Sequence, residues 1–177
     1  MGLWVEHRVS GMNTFEYSAT EIRKILQGLF PHRRLVLSQF TFFNQIGIAK
    51  PTGSSFKRGR RCYRLQDILS IACILALKEE GIPFKNIETL PPLIQEHAER
   101  IFLCGEGCRL SGHAEAIALR FPGDSSENPA LTSFLSGEHE ELLFWGFDIG
   151  LLAEQLRDIA EQMTLGRTPA PLVVNAA

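Results

Sequence analysis

The chain has 177 residues, 45% of them apolar and 21% charged, with a formal net charge of −2, which suits one compact domain plus an appendage and excludes a wholly disordered polypeptide. Its longest unbroken apolar run, Ile71 to Leu77, is too short to cross a bilayer, and the N-terminal residues lack the basic segment, long apolar stretch and small-residue site of a secretory leader. A cytoplasmic protein with no membrane partner is expected, and the four cysteines at 62, 73, 104 and 108 are too few and too irregular for a secreted disulfide framework.

The small net charge conceals a strong segregation. Between Ile22 and Gln66 there are ten basic residues and no carboxylate, whereas the other 132 residues carry eight basic and twenty acidic ones. Such a stretch presents an electropositive surface to a polyanion, nucleic acid first among them. A solvated face is the plainer reading, but solubility surfaces normally mix both signs.

In chain order, residues 1–16 show no sustained period and read as a flexible arm. Ser18-Ala19-Thr20-Glu21 is a capping box, and Ile22, Ile25, Leu26 and Leu29 follow on one helical face that Gly28 and Pro31 bring to an end. After His32-Arg33-Arg34, the stretch Val36 to Ile46 reads as a second helix that buries Phe40 and Phe43 and is stopped by Gly47. From Lys50 to Arg64 the Gly, Ser, Lys and Arg content predicts two short strands about a turn, a basic hairpin. Ile68 to Glu80 is the strongest helix of the chain and should be the spine of the core.

Pro83 is placed to start a short helix that Pro91-Pro92 terminates, with a further helix over Leu93 to Phe102. The glycines and prolines that follow obscure the pattern. Ala116 to Phe121 and Leu142 to Phe147 are candidate strands, and Gly123 to Asn128 is a loop by composition. Asp148 caps a last helix reaching Leu165. On it, together with Trp145, the residues Ile149, Leu152, Leu156, Ile159 and Met163 step by three and four like a short coiled-coil seam, so they are expected to dimerise the chain. Packing onto the chain's own core is the alternative. Gly166 ends this helix, and residues 166–177 read as a tail. The expected fold is mainly α with a small β wing.

Two short helices, a basic hairpin and a long apolar helix, in that order, are the layout of a winged helix-turn-helix, whose second helix enters the major groove while the hairpin grips phosphates. Phe42-Phe43-Asn44-Gln45-Ile46-Gly47-Ile48, Arg60-Arg61-Cys62-Tyr63-Arg64-Leu65-Gln66-Asp67-Ile68 and Lys78-Glu79-Glu80-Gly81-Ile82-Pro83-Phe84-Lys85-Asn86-Ile87 carry the similarity. Over residues 17–90 the chain resembles the MerR family of bacterial transcription regulators. It departs from the family in Val36-Leu37-Ser38-Gln39 before the aromatic pair, in a longer turn around Phe30 to Arg33, in Phe42-Phe43 for paired tyrosines and in Asn44 for an acid.

The resemblance implies a DNA-binding domain over 17–90, a connecting or effector region over 91–147 and a dimerisation helix over 148–165. It also implies a homodimer on paired half-sites of double-stranded DNA and RNA polymerase as a possible partner. The same fold can instead serve as a protein-interaction adaptor for a chaperone or polymerase, without specific DNA recognition.

By chemistry, Ser38, Gln39 and Thr41 suit base edges, because Gln pairs with adenine and short hydroxyls adapt to several bases. Arg33, Arg34, Lys57, Arg58, Arg60, Arg61 and Arg64 suit phosphates, with Tyr63 among them, although packing is the other reading for Phe40, Phe43 and Tyr63. Six phosphate contacts would give a log-log salt slope of roughly −5.

Cys104-Gly105-Glu106-Gly107-Cys108 with His113 downstream and His97 upstream supplies soft ligands, so zinc or a thiol switch is conceivable, with buried reduced thiols as the default and no cofactor as the expectation. The sequence has no nucleotide-binding glycine loop or zinc-protease helix, and no enzyme is expected.

Overall fold

A computed structural model describes residues 15–47, 49–53, 56–57, 59–79, 81–82, 87–113, 117–123 and 143–165. Most of the N-terminal arm, the helix start at Pro83, the body of the Gly123 to Asn128 loop, the tail and Arg58 lie outside them, as do the side chains of Lys57, His113 and Trp145. The described chain is mainly helical, with a two-stranded hairpin and a three-stranded antiparallel sheet. Among the described residues no helix is long and apolar enough to cross a membrane.

Helix α1 (Ala19–Leu29) starts as its sequence dictates. The Glu21 amide donates to Ser18 Oγ at 3.4 Å, and the Ser18 amide donates back to Glu21 Oε2 at 2.7 Å, so two orphan donors of the first turn are satisfied reciprocally. Ile22, Ile25, Leu26 and Leu29 are all buried. Helix α2 (Leu37–Gln45) buries Phe40 and Phe43, and Gly47, at φ 77°, takes the left-handed conformation that ends it.

The hairpin of β1 (Phe56–Lys57) and β2 (Arg60–Arg61) pairs Phe56 with Arg61 and Lys57 with Arg60 around a two-residue turn that Gly59, at φ 75°, permits. Helix α3 (Leu65–Glu79) follows. Positions 67–75 are buried without interruption, so over this span the helix is enclosed on all its faces. Its buried Ser70 is satisfied by donating to the Gln66 carbonyl at 3.0 Å.

Helix α4 (Leu90–Cys104) corrects the reading of Pro91-Pro92. The two prolines open this helix rather than closing the one before it, because the first turn has no intrahelical acceptor for the N–H that proline lacks. The three-stranded sheet has the order β4-β3-β5, built from β3 (Arg109–His113), β4 (Ile117–Arg120) and β5 (Leu143–Asp148). The central strand β3 pairs Leu110 with Leu119 on one side and with Phe147 on the other, and the second ladder shifts register between Gly112 and His113. Both candidate strands are present and β3 is additional. Helix α5 (Ile149–Thr164) leaves β5 without a loop, and the Leu151 amide donates to Asp148 Oδ1 at 2.8 Å as the cap.

The chain divides into two compact units, one ending at Cys73 and resuming at Gln155, the other running from Ile74 to Glu154. The division therefore falls inside α3 and α5, not at residue 90. The first unit contains α1, α2, the hairpin, the start of α3 and the end of α5. The second contains the rest of α3, α4, the sheet and the start of α5.

Candidate nucleic-acid interface

The first unit carries the basic stretch. Arg23, Lys24, Arg34, Lys50, Arg60 and Arg61 are exposed and Arg33 is half-buried. On α2, Ser38, Thr41, Asn44 and Gln45 are exposed, as are the apolar Val36, Leu37, Phe42 and Ile46. Phe42 is 45% exposed, whereas its neighbour Phe43 is in the core.

The turn between α1 and α2 is held by Gln27, a residue that sequence reasoning passed over. Its side-chain amide faces three backbone carbonyls, those of Arg33 at 2.8 Å, Phe30 at 3.2 Å and Pro31 at 3.3 Å. The turn that carries Arg33 and Arg34 is thus shaped from inside by one side chain. A Gln near the end of an amphipathic helix gives no local signal of this.

The hairpin is fixed at its base. The Gly53 amide donates to the Cys62 carbonyl at 3.0 Å, and a Cβ on Gly53 would fall on that same oxygen, so only glycine fits. Asp67, buried in the first turn of α3, accepts from the Thr52 amide at 3.0 Å, from the Thr52 hydroxyl and from the Arg64 amide at 2.8 Å. One carboxylate therefore ties the segment before the hairpin to the segment after it. Burial pushes the Asp67 carboxyl above its usual range, and the hydrogen bonds from Thr52 and Arg64 oppose that shift.

Three of the sequence-derived contacts are placed otherwise. Tyr63 is 6% exposed and exchanges backbone hydrogen bonds with Tyr17, at 2.8 Å each way, so it belongs to the core and not to a phosphate-facing surface. Burial, with Asp67 nearby, pushes its phenol up. Arg64 Nε lies 4.0 Å from Glu16 Oε1, an acid from just outside the basic stretch, which partly neutralises it. Gln39 accepts the Val36 amide through Oε1 at 3.1 Å. Val36 has no acceptor to offer in return, so this is half a capping box, and it occupies the oxygen that a bidentate contact with adenine would need.

The side chain of Tyr17 hydrogen-bonds Thr164 at the end of α5, and burial pushes the Tyr17 phenol up. Of the expected seam, Ile149, Leu156 and Ile159 are buried in the chain's own core and Leu152 and Met163 are half-buried. This corrects the expectation of a seam facing a second copy, because an apolar stripe at this spacing serves a core equally well.

In the second unit, Cys104 is half-exposed and Cys108 buried, and both are free thiols. The Cys108 thiol hydrogen-bonds Cys104, and burial, reinforced by the charges of Cys104 and Asp148, pushes it up to about 12. His97 packs edge-on against Phe121, whose ring also carries the Arg100 guanidinium 3.8 Å from its centroid. Among the described residues no cluster of three or more His, Cys, Asp or Glu is arranged to hold a metal ion.

No protein-family model matches the chain, and a comparison with curated proteins finds no match.

Proposed function

We propose that the chain is a DNA-binding transcription regulator whose first unit acts as a MerR-like winged helix-turn-helix, with α2 in the major groove of double-stranded DNA and the β1–β2 hairpin on adjacent phosphates. The observation that carries this reading is the acid-free stretch from Ile22 to Gln66, which holds exposed Arg34, Arg60 and Arg61 and a helix with exposed Ser38 and Thr41. Cations grip the backbone and short polar groups read base edges. The contacting set is Arg33, Arg34, Ser38, Thr41, Arg60 and Arg61, joined by Lys57 and Arg58 of the hairpin. Gln39 would read a base only after releasing the Val36 amide.

A homodimer on paired half-sites belongs to the same proposal. With Ile149, Leu156 and Ile159 buried, that dimer needs a surface other than the α5 stripe. RNA polymerase as partner, a cytoplasmic location and the absence of enzymatic activity complete the reading.

The exposed Val36, Leu37, Phe42 and Ile46 favour a second reading, an adaptor that docks a protein partner on α2. Fluorescence anisotropy of labelled genomic fragments against salt, with random duplex DNA as competitor, separates the two. Four or more phosphate contacts give a log-log slope of about −4 or steeper, and a specific fragment outlasts the competitor. A slope near zero removes the DNA reading.

A further inference from the structure

The second unit holds a pair of cysteines that the proposed interface does not use. Cys104 ends α4, and Cys108 follows after Gly105-Glu106-Gly107. Gly105 at φ 64° and Gly107 at φ 97° both adopt the left-handed conformation, which turns the chain back between the helix end and β3, and Cys104 is a neighbour that helps hold the Cys108 thiol protonated. A disulfide requires the two Cα atoms to come within about 7 Å, and a tight turn with two glycines between the cysteines gives the backbone freedom to meet that requirement.

We propose that Cys104 and Cys108 form a redox-active dithiol that a hydroperoxide converts to an intramolecular disulfide. The Cys104 sulfur attacks one oxygen of hydrogen peroxide and the O–O bond breaks. Cys104 becomes a sulfenic acid, and the departing hydroxide takes the Cys104 thiol proton as water. The Cys108 sulfur then attacks the Cys104 sulfur, the S–O bond breaks, and the sulfenic oxygen leaves with its own proton and that of Cys108 as a second water. Two thiols lose two electrons and two protons, and the peroxide is reduced to two waters. A dithiol reductant reverses the bond by exchange.

The order of events follows from access. Cys104 is the member that solvent reaches, so it reacts first, and Cys108, which burial keeps from meeting peroxide directly, resolves the intermediate as it gives up its proton. Cys62 and Cys73 are fully buried and fall in the first unit, away from the Cys104–Cys108 turn in sequence, so neither meets peroxide first.

The turn is also tied to the start of α5. The Gly107 amide donates to Asp148 Oδ2 at 2.7 Å and the Gly150 amide to the Cys108 carbonyl at 3.2 Å. Closing the bond strains these contacts, so the amides of Gly107, Gly150 and Leu151 register oxidation. The proposal stands whether or not the chain binds DNA.

The test is to titrate the whole protein with hydrogen peroxide, denature it, alkylate with N-ethylmaleimide and digest with trypsin. Cys104 and Cys108 fall together in the peptide from Ile101 to Arg109, which holds no other cysteine. The expected result is that this peptide loses both alkylation sites and two hydrogens together, that Cys62 and Cys73 keep theirs, and that dithiothreitol restores the pair. In Cys108→Ser, Cys104 should accumulate as a dimedone-reactive sulfenic acid. Recovery of the wild-type peptide with both cysteines alkylated, or with Cys104 as sulfinic acid beside an alkylated Cys108, overturns the proposal.

Discussion

Asp67 and Thr52, fifteen residues apart, close the base of the hairpin: the Thr52 amide donates to Asp67 Oδ2 at 3.0 Å and its hydroxyl reaches both carboxylate oxygens. Asp67→Ala leaves the Thr52 and Arg64 amides without this acceptor and should cost about 3 kcal/mol in urea unfolding. Asp67→Asn keeps an acceptor for the two amides and a donor for the Thr52 hydroxyl, so it should cost about 1 kcal/mol or less. Because burial raises the folded carboxyl above its ordinary value of 3.8, the folded state holds its proton longer than the unfolded chain does. This contribution is complete below that value and is lost as pH rises through the folded one, so Asp67→Asn should remove that loss and gain stability relative to the parent chain as pH rises across that window.

Tyr17 and Tyr63 impose the same sign at high pH. Both phenols are raised above 10.0 by burial, so above that pH the unfolded chain releases protons that the folded chain retains. Stability should fall as pH climbs, by up to roughly 1.4 kcal/mol per pH unit for each phenol. Tyr17→Phe should reduce the slope by one phenol's share and, by losing the bond to Thr164, cost about 1 kcal/mol at neutral pH. Thermal unfolding across pH 8 to about 11 measures both effects, with Tyr17→Phe scored against the parent chain.

Charge reversal on the hairpin tests the DNA reading. The pair Arg60→Glu and Arg61→Glu should weaken duplex binding by at least about tenfold at low salt and reduce the log-log slope by about 2. Ser38→Ala and Thr41→Ala should leave that slope unchanged and alter only the ranking among duplex sequences. Anisotropy titrations at several salt concentrations give both quantities.

Phe40 and Phe42, two residues apart on α2, should respond oppositely. Phe40→Ala empties a core position and should cost about 3–5 kcal/mol, while Phe42→Ala, on the exposed side, should stay within about 0.5 kcal/mol. A Phe42→Ala chain that keeps full DNA affinity but loses a protein partner would support the adaptor reading over the regulator.

A Cβ on Gly150 would fall on the Gly105 carbonyl oxygen and stand 3.0 Å from Cys108 Cβ. Gly150→Ala should therefore force the cysteine turn away from α5 and cost about 3 kcal/mol, visible as a lower midpoint in urea. Gly123→Ala has open space around it and only the backbone conformation to resist, at φ 80°, so it should cost less, about 1 kcal/mol.

The sequence made legible what local signals encode. Ser18 with Glu21, the stripe from Ile22 to Leu29, Gly47, the hairpin around Gly59 and the apolar α3 all emerge where residue spacing places them. What it hid depends on partners distant in the chain. Arg109-Leu110-Ser111-Gly112-His113 has one strong apolar residue and becomes a central strand only because β4 and β5 pair with it on both sides. Pro91 and Pro92 break or begin a helix equally well until the helix that follows is seen. In the candidate interface, exposure of Ser38, Thr41, Arg60 and Arg61 follows from their chemistry, whereas the burial of Tyr63, the bond from Val36 to Gln39 and the bracing by Gln27 arise only in the folded chain.

The path of the chain through its two units has a practical consequence. A fragment cut after residue 90, where the basic segment and its long helix look complete, would omit Leu156, Ile159 and Thr164, and with them the helical segment that belongs to the same unit as α1. Loss of DNA affinity in such a fragment would report an unfinished core and say nothing about which residues touch DNA. Point substitutions in the intact polypeptide are the sound way to map contacts, and deletion series are not.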